Sequence, residues 1–262
     1  KMDCSITELG QLIVSKGITF QTYTHFLKWI RESERSKISE LEILFLIATS
    51  NDGTAYFSDY PGKETKIAKY GRTKIKKWKQ YLHLRILNLI FEEQEEGKPI
   101  FRNNLDIDSF QINQGCYSTE VKRIEISNYL AIKNTLTMYD WIKGKELRGM
   151  EEDYGTLGGN LQKMGEGFSW LADALSSLAE REGWKEVRAD DLTKIRELSA
   201  RLIDGIESES LALARLSIPG LTRGYIQRLV REGYNNEQCL SELSDNQLKQ
   251  ILPELLVKRI RK

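Results

Sequence analysis

Cysteine and histidine are scarce in this chain, and their positions exclude most of the chemistry they could carry. Cys4, Cys116 and Cys239 are an odd set at distant positions, without the paired spacing of a disulfide framework or a zinc site, so reduced thiols are expected. His25 and His83 have no Cys, His or carboxylate cluster at metal-ligand spacing beside them, and each reads as a surface or core-edge side chain. No metal site is expected. Long apolar runs are also missing: none approaches the roughly 18 to 20 residues needed to cross a bilayer. The start Lys1-Met2-Asp3-Cys4 lacks the basic-then-apolar order of a secretory signal. The expectation is an intracellular protein with no membrane partner.

Catalytic signatures are absent as well. Each Gly-Lys pair is followed by Pro or Glu (Gly62-Lys63-Glu64, Gly97-Lys98-Pro99, Gly144-Lys145-Glu146), so no loop of the G-x-x-x-x-G-K-[ST] type cradles a phosphate. No nucleophile elbow, H-E-x-x-H or kinase signature set occurs. Neither catalytic residues nor a bound cofactor are expected in this chain.

What is present is segregated charge and helical periodicity. The formal net charge is only +1. Yet Lys63, Lys66, Lys69, Arg72, Lys74, Lys76, Lys77, Lys79 and Arg85 stand against Glu64 alone, before Glu92, Glu93, Glu95 and Glu96. Such a segment is either a local field that attracts phosphate or a solvated helix face with its counter-charges elsewhere in the fold.

Strand signals are few, and the expected fold class is mainly α. Apolar spacing predicts a helix from Phe20 to Arg31, and Ser39 with Glu42 forms a capping box opening another through Leu41, Leu44, Phe45, Ile47 and Ala48. Asn51-Asp52-Gly53 and Tyr60-Pro61-Gly62 mark turns. Further helices are expected at Thr73 to Phe91, Asn104 to Gln114, Ser118 to Leu136 and Tyr139 to Gly144. The clearest pattern places Leu157, Leu161, Met164, Phe168, Leu171, Leu175 and Leu178 on one stripe of a long helix ending near Gly183. Another helix runs from Asp190, an N-cap candidate, through Leu192, Ile195, Leu198, Leu202 and Ile206. From Leu213 the texture changes to short helices, with a second capping box at Ser244 and Gln247 and Pro253 in the first turn of the last.

Two constellations carry possible chemistry. In the first, Leu213 to Leu216, Ile218-Pro219-Gly220-Leu221-Thr222-Arg223-Gly224 and Ile226 to Glu232 read as helix, tight turn, helix, which resembles a helix-hairpin-helix motif. There the backbone around Gly220 and Thr222 offers N–H groups to a phosphate at a helix N-terminus, with Arg223 beside it and Arg228 one turn on. The contact would be independent of sequence. The same turn also serves as a plain connector. In the second, Trp170 lies roughly 100° to 160° from Leu171 and Phe168 around the long helix, while Lys163 falls within roughly 20° of it. Such a face can stack a base on the indole and hold a phosphate on the lysine. Alternatively Trp170 fills a groove of a neighbouring helix, which geometry alone favours. The terminal cluster including Lys258 and Arg259 is a further phosphate contact or a soluble terminus.

These residues also carry a resemblance. Thr135-Leu136-Thr137-Met138-Tyr139-Asp140-Trp141-Ile142, Glu151-Glu152-Asp153-Tyr154-Gly155, Asn160-Leu161-Gln162-Lys163 and Phe168-Ser169-Trp170-Leu171 together resemble the C-terminal region of the helicase-308 family. These are DNA-repair helicases of the Ski-two-like branch of superfamily 2. Ile6-Thr7-Glu8-Leu9-Gly10 with Ile18-Thr19-Phe20 resembles the exit from that family's winged helix. The resemblance implies a winged-helix remnant at 1–18, a ratchet helical bundle at 19–210 and a helix-hairpin-helix domain at 211–262. It also implies that Trp170 and Lys163 contact a translocating single strand, which tips the reading of Trp170 toward function. Implied partners are single-stranded or forked DNA and the RecA-like motor domains of a longer parent chain, where ATP and Mg would bind. The motor and most of the winged helix are absent from the sequence, and Gly165 and Gly167 stand where better helix formers are expected, marking a kink or the close approach of a strand. Rival readings are the equivalent module of an RNA helicase and a stand-alone interaction protein. A helix-hairpin-helix base-excision enzyme is disfavoured, since no lysine lies between Ile218 and Arg228 to attack a sugar.

Overall fold

Where expected helices fall on described residues, helices are present, with several ends shifted. The computed structural model describes residues 8–32, 38–56, 131 and 133–261, and these form helices and turns with no strand among them. The turn at Tyr60-Pro61-Gly62, the basic segment Lys63 to Arg85, the helices expected at Thr73 to Phe91 and Asn104 to Gln114, and most of that at Ser118 to Leu136 lie outside the described residues.

Helix α1 (Glu8–Lys16) is followed by α2 (Phe20–Glu32), whose start is tied down by side chains. The Thr22 amide donates to the Thr19 hydroxyl, and the Asp52 carboxylate accepts from both the Thr19 amide (2.8 Å) and hydroxyl (3.0 Å). The expected turn at Asn51-Asp52-Gly53 thereby becomes the clamp on α2. Helix α3 (Glu40–Thr49) is apolar nearly all round and buried from Leu41 to Ala48, the signature of a central helix. Its capping box is only half made. Ser39 accepts from the Glu42 amide, but the Glu42 carboxylate instead accepts the buried Trp29 indole N–H at 3.0 Å, because an unpaired indole donor costs more there than an unreciprocated cap.

Helix α4 (133–142) runs through the break expected between Leu136 and Tyr139. Thr135 and Thr137 donate their hydroxyls to the carbonyls of Ala131 and Lys133 one turn back, so these buried β-branched residues are accommodated without interrupting the helix. Helix α5 (Leu147–Tyr154) leads into the long α6 (Gly158–Ala179). On α6 the stripe from Leu161 to Leu178 is buried, whereas Leu157 is the N-cap residue and 71% exposed. The regular helix stops at Ala179 and continues as one wide turn, Glu180–Trp184, with Gly183 at a φ of 87°. Helix α7 (Ala189–Asp204) has Arg188, not Asp190, at its N-cap position, without a side-chain cap bond. Asp190 and Asp191 occupy its first turn, where their charge favours the helix dipole. Ile206 lies beyond the left-handed cap at Gly205 but is fully buried.

The two glycines that weaken α6 as a helix are required by packing. A Cβ on Gly165 would sit 2.5 Å from the Leu202 carbonyl oxygen and 2.8 Å from Trp141 Nε1, and one on Gly167 would overlap the Tyr56 ring. The helix contains neither a kink there nor room for a strand: Gly165 lets α6 and α7 approach, and Gly167 seats Tyr56 edge-on to Phe168.

Past α7, the short helices α8 (Leu211–Ala214), α9 (Arg223–Arg231), α10 (Glu237–Glu242), α11 (Asp245–Ile251) and α12 (Glu254–Ile260) gather a second apolar cluster. It comprises Leu213, Ile226, Leu229, Leu240, Leu243, Leu248, Leu252, Leu256 and Val257. The first cluster belongs to α2 through α7, and Leu12 and Ile13 of α1 pack against it. The Ser244 capping box forms in both directions, and Pro253 is the N-cap of α12.

His25 on α2 gives the fold a pH dependence. Burial holds its imidazole below the ordinary value, Lys28 pushes the same way, and the hydrogen bond to the Leu46 carbonyl opposes them. The unfolded chain therefore takes up this proton more readily. Stability should be insensitive to His25 above about pH 6.5 and fall by up to about 1.4 kcal/mol per pH unit below it, until the folded-state value is passed. Urea unfolding at neutral pH and near pH 5.5 checks this against His25→Gln; a variant with the same slope as the wild type would refute it.

Candidate nucleic-acid interface

Lys163 and Trp170 both lie on α6, but their surroundings differ. Lys163 is exposed and makes no ion pair among the described residues. Trp170 is partly buried against the bundle core, and its indole N–H donates to the carbonyl oxygen of Lys16 at the end of α1 (2.5 Å). Lys16 in turn pairs with Asp173, one turn beyond Trp170 on α6 (2.5 Å). The edge of the indole is thus fixed by α1. Gly167 and Ala174, about one turn to either side of Trp170 on α6, are buried. Part of Trp170 therefore fills a groove of the bundle, and part of it reaches solvent.

At the hairpin, the Leu221 amide donates to the Ile218 carbonyl and the Thr222 amide to Gly220, whose φ is 89°. Thr222 is the N-cap of α9, its side chain making no cap bond. Among the described residues the amides of Arg223 and Gly224 have no backbone acceptor, as a first helical turn requires. Gly220, Thr222 and Gly224 are exposed, and nothing lies within 4 Å of a Cβ placed on Gly224. This helix start is open to solvent.

The cations expected beside it are not all available. Arg223 turns away from the hairpin's outer face: Nε donates to the Gly205 carbonyl (2.5 Å), Nη2 donates to Trp141 (3.1 Å) and Lys145 (2.7 Å), and the guanidinium lies 4.3 Å from the Trp141 ring centre. Burial pulls it down to about 10, still cationic at neutral pH. Arg259 donates to the Pro219 carbonyl and braces the turn beneath Gly220; Lys258 pairs with Glu254 at 3.2 Å. Arg228 is exposed, 5.7 Å from the Tyr225 ring. Among the described residues Arg215 before the turn and Arg228 and Arg231 after it are exposed and make no ion pair, whereas Arg223 is turned into the bundle.

Sequence reasoning missed Trp141 and Arg201. Trp141 was legible only as part of a resemblance, and its pairing with Arg223 is a long-range contact with no local signal. Arg201 is 3% exposed and donates to the carbonyls of Ile142 and Ile206 (3.1 Å each) while pairing with Glu40. Among the described residues no cluster of histidine, cysteine or carboxylate side chains is arranged to hold a metal, and no helix is long and apolar enough to cross a membrane. Cys239 is a free thiol.

Residues 93–205 match the family described as archaeal helicase, domain 4. This stretch includes all of α4 to α7. The chain thus carries a stretch similar to a helicase-associated domain from a helicase's C-terminal region. No curated protein matches the chain.

Proposed function

We propose that this chain is the nucleic-acid-binding C-terminal portion of an ATP-dependent superfamily 2 DNA helicase of the helicase-308 type, guiding single-stranded DNA while motor domains elsewhere hydrolyse ATP. The observation that carries the reading is the match to an archaeal helicase domain across α6, the helix on which Lys163 is exposed and Trp170 partly so. The cation supplies a phosphate contact and the indole a stacking surface, a combination suited to a single strand of any sequence. The open start of α9, with Arg228 nearby, supplies a second contact to phosphate in the manner of a helix-hairpin-helix.

Fluorescence anisotropy with a labelled oligothymidylate tests this. Trp170→Ala should weaken binding by about 1 to 3 kcal/mol, and Lys163→Ala should weaken it for all sequences and lower the salt slope by about one. Trp170→Phe separates stacking from folding, since it keeps a ring but loses the bond to Lys16; it should retain most of the affinity. Unchanged affinity in a folded Trp170→Ala protein would contradict the reading. Tighter binding of an RNA strand of matched sequence would move the assignment to RNA.

A further inference from the structure

Helices α4 and α7 end at the same place, and carbonyls in the last turn of α4 and just past both helix ends converge. Helix C-termini leave unsatisfied C=O groups and a partial negative charge, so two such ends meeting in the interior require donors and positive charge between them. Two arginines supply both. Arg201, from α7 itself, donates to Ile142 and Ile206. Arg223 comes from α9, in the second apolar cluster, and donates to Trp141, Lys145 and Gly205. The wall behind it is tied together. The Trp141 indole donates to the Leu202 carbonyl at 2.8 Å and presses on Gly205, and the loop carrying the Lys145 carbonyl is held by the Lys145 ammonium on Asp140 and Asp153. One turn after Arg223 on the same face of α9, the Gln227 amide donates to the Gly144 carbonyl at 2.8 Å. Two contacts a turn apart fix an orientation as well as a position.

We propose that Arg223 is a positioning residue: seated in a socket of three backbone carbonyls against Trp141, it locks α9 to the bundle, so that α6 and the hairpin grip one strand as a single rigid surface. The gripping role rests on the nucleic-acid reading above; the lock does not. A guanidinium suits the socket because its planar fork serves separate acceptors while its face lies on the indole, which a lysine ammonium cannot do. A phosphate ligand would instead need those donors turned outward. Linking two weak contacts through a stiff joint raises the effective concentration of the second once the first has bound.

The test uses the full chain with Arg223→Ala, Arg223→Lys and Gln227→Ala. Each side of the joint has its own apolar cluster, so folding of the variants is checked by circular dichroism. Dyes at Val187→Cys and Leu255→Cys, both exposed positions, are placed in a background where the native cysteines are serine. Energy transfer should give one narrow distribution for the wild type. Both Arg223 variants should broaden it, and Gln227→Ala should do so less. An unchanged narrow distribution in folded Arg223→Ala would overturn the lock. In binding, Arg223→Ala and Arg223→Lys should lose about tenfold or more on a long oligothymidylate that spans both contacts, with affinity for a short one unchanged. Equal loss on both lengths, a salt slope lower by about one, and rescue by Arg223→Lys would make Arg223 a phosphate ligand and overturn the positioning role. If the wild type binds no oligothymidylate at low salt, the nucleic-acid reading fails together with the gripping role, while the energy-transfer result still decides the lock.

Discussion

Trp141→Ala is expected to destabilise the protein by about 3 to 5 kcal/mol, near the upper range for removal of a buried aromatic. The side chain is 5% exposed and touches elements on three sides. Its N–H satisfies the Leu202 carbonyl of α7, its edge lies against Gly165 of α6 and Gly205, and its face carries Arg223. Both glycines are shaped to this ring, so neither can expand into the space it leaves, and relaxation around the cavity will be small. Loss of the ring also strands the Leu202 carbonyl and exposes Arg223 on one face. Denaturant unfolding measures the total, and hydrogen exchange should show the amides of α9 losing protection more than those of α3, whose tie to these helix ends is the Glu40 carboxylate on Arg201 and Lys143. A loss below about 1.5 kcal/mol, the range of conservative core changes, would mean that the site collapses and that the glycines are not fitted to the indole.

The same residues show which parts of the fold could be read in advance. The stripe from Leu161 to Leu178 was legible because burial on one face of a helix imposes a period, and a period is local information. The capping box at Ser244 and Gln247 was legible for the same reason: both partners lie within one turn. Gly165 and Gly167 were legible only as anomalies, since a glycine in a helix signals close approach without naming what approaches. Their partners, Trp141 with Leu202 and Tyr56, come from elsewhere in the chain. Glu42 was assigned to the local cap, and a tertiary partner, the Trp29 indole, took its carboxylate instead. At the interface, an arginine beside a hairpin reads as a phosphate ligand because its charge is all the sequence displays. Whether that charge faces solvent depends on where two other helices end, which no spacing around Arg223 records.

Arg201→Ala is the second large effect, about 3 to 5 kcal/mol, the usual cost of breaking a buried ion pair from one side. Three acceptors lose a donor at once: the carbonyls of Ile142 and Ile206 and the carboxylate of Glu40, which keeps Lys143. The first two losses are independent of pH, and the third is not. In the wild type, burial acts to raise the Glu40 carboxyl, but Arg201 and Lys143 overcome it and hold the group below the ordinary value. Glu40 thus contributes stability that is present above about pH 4.5 and is lost as pH falls through its folded-state value. Without Arg201, burial is opposed by Lys143 alone, which is 3.2 Å away but 45% exposed and therefore screened. The variant's carboxyl must then sit higher than the wild type's, so the variant loses less on acidification. The difference in unfolding free energy between the two proteins should be largest near neutrality and shrink toward pH 4, leaving the carbonyl losses as a remainder. A difference constant across that range would show that Glu40 draws its stabilisation from Lys143, and that Arg201 serves only the converging helix ends.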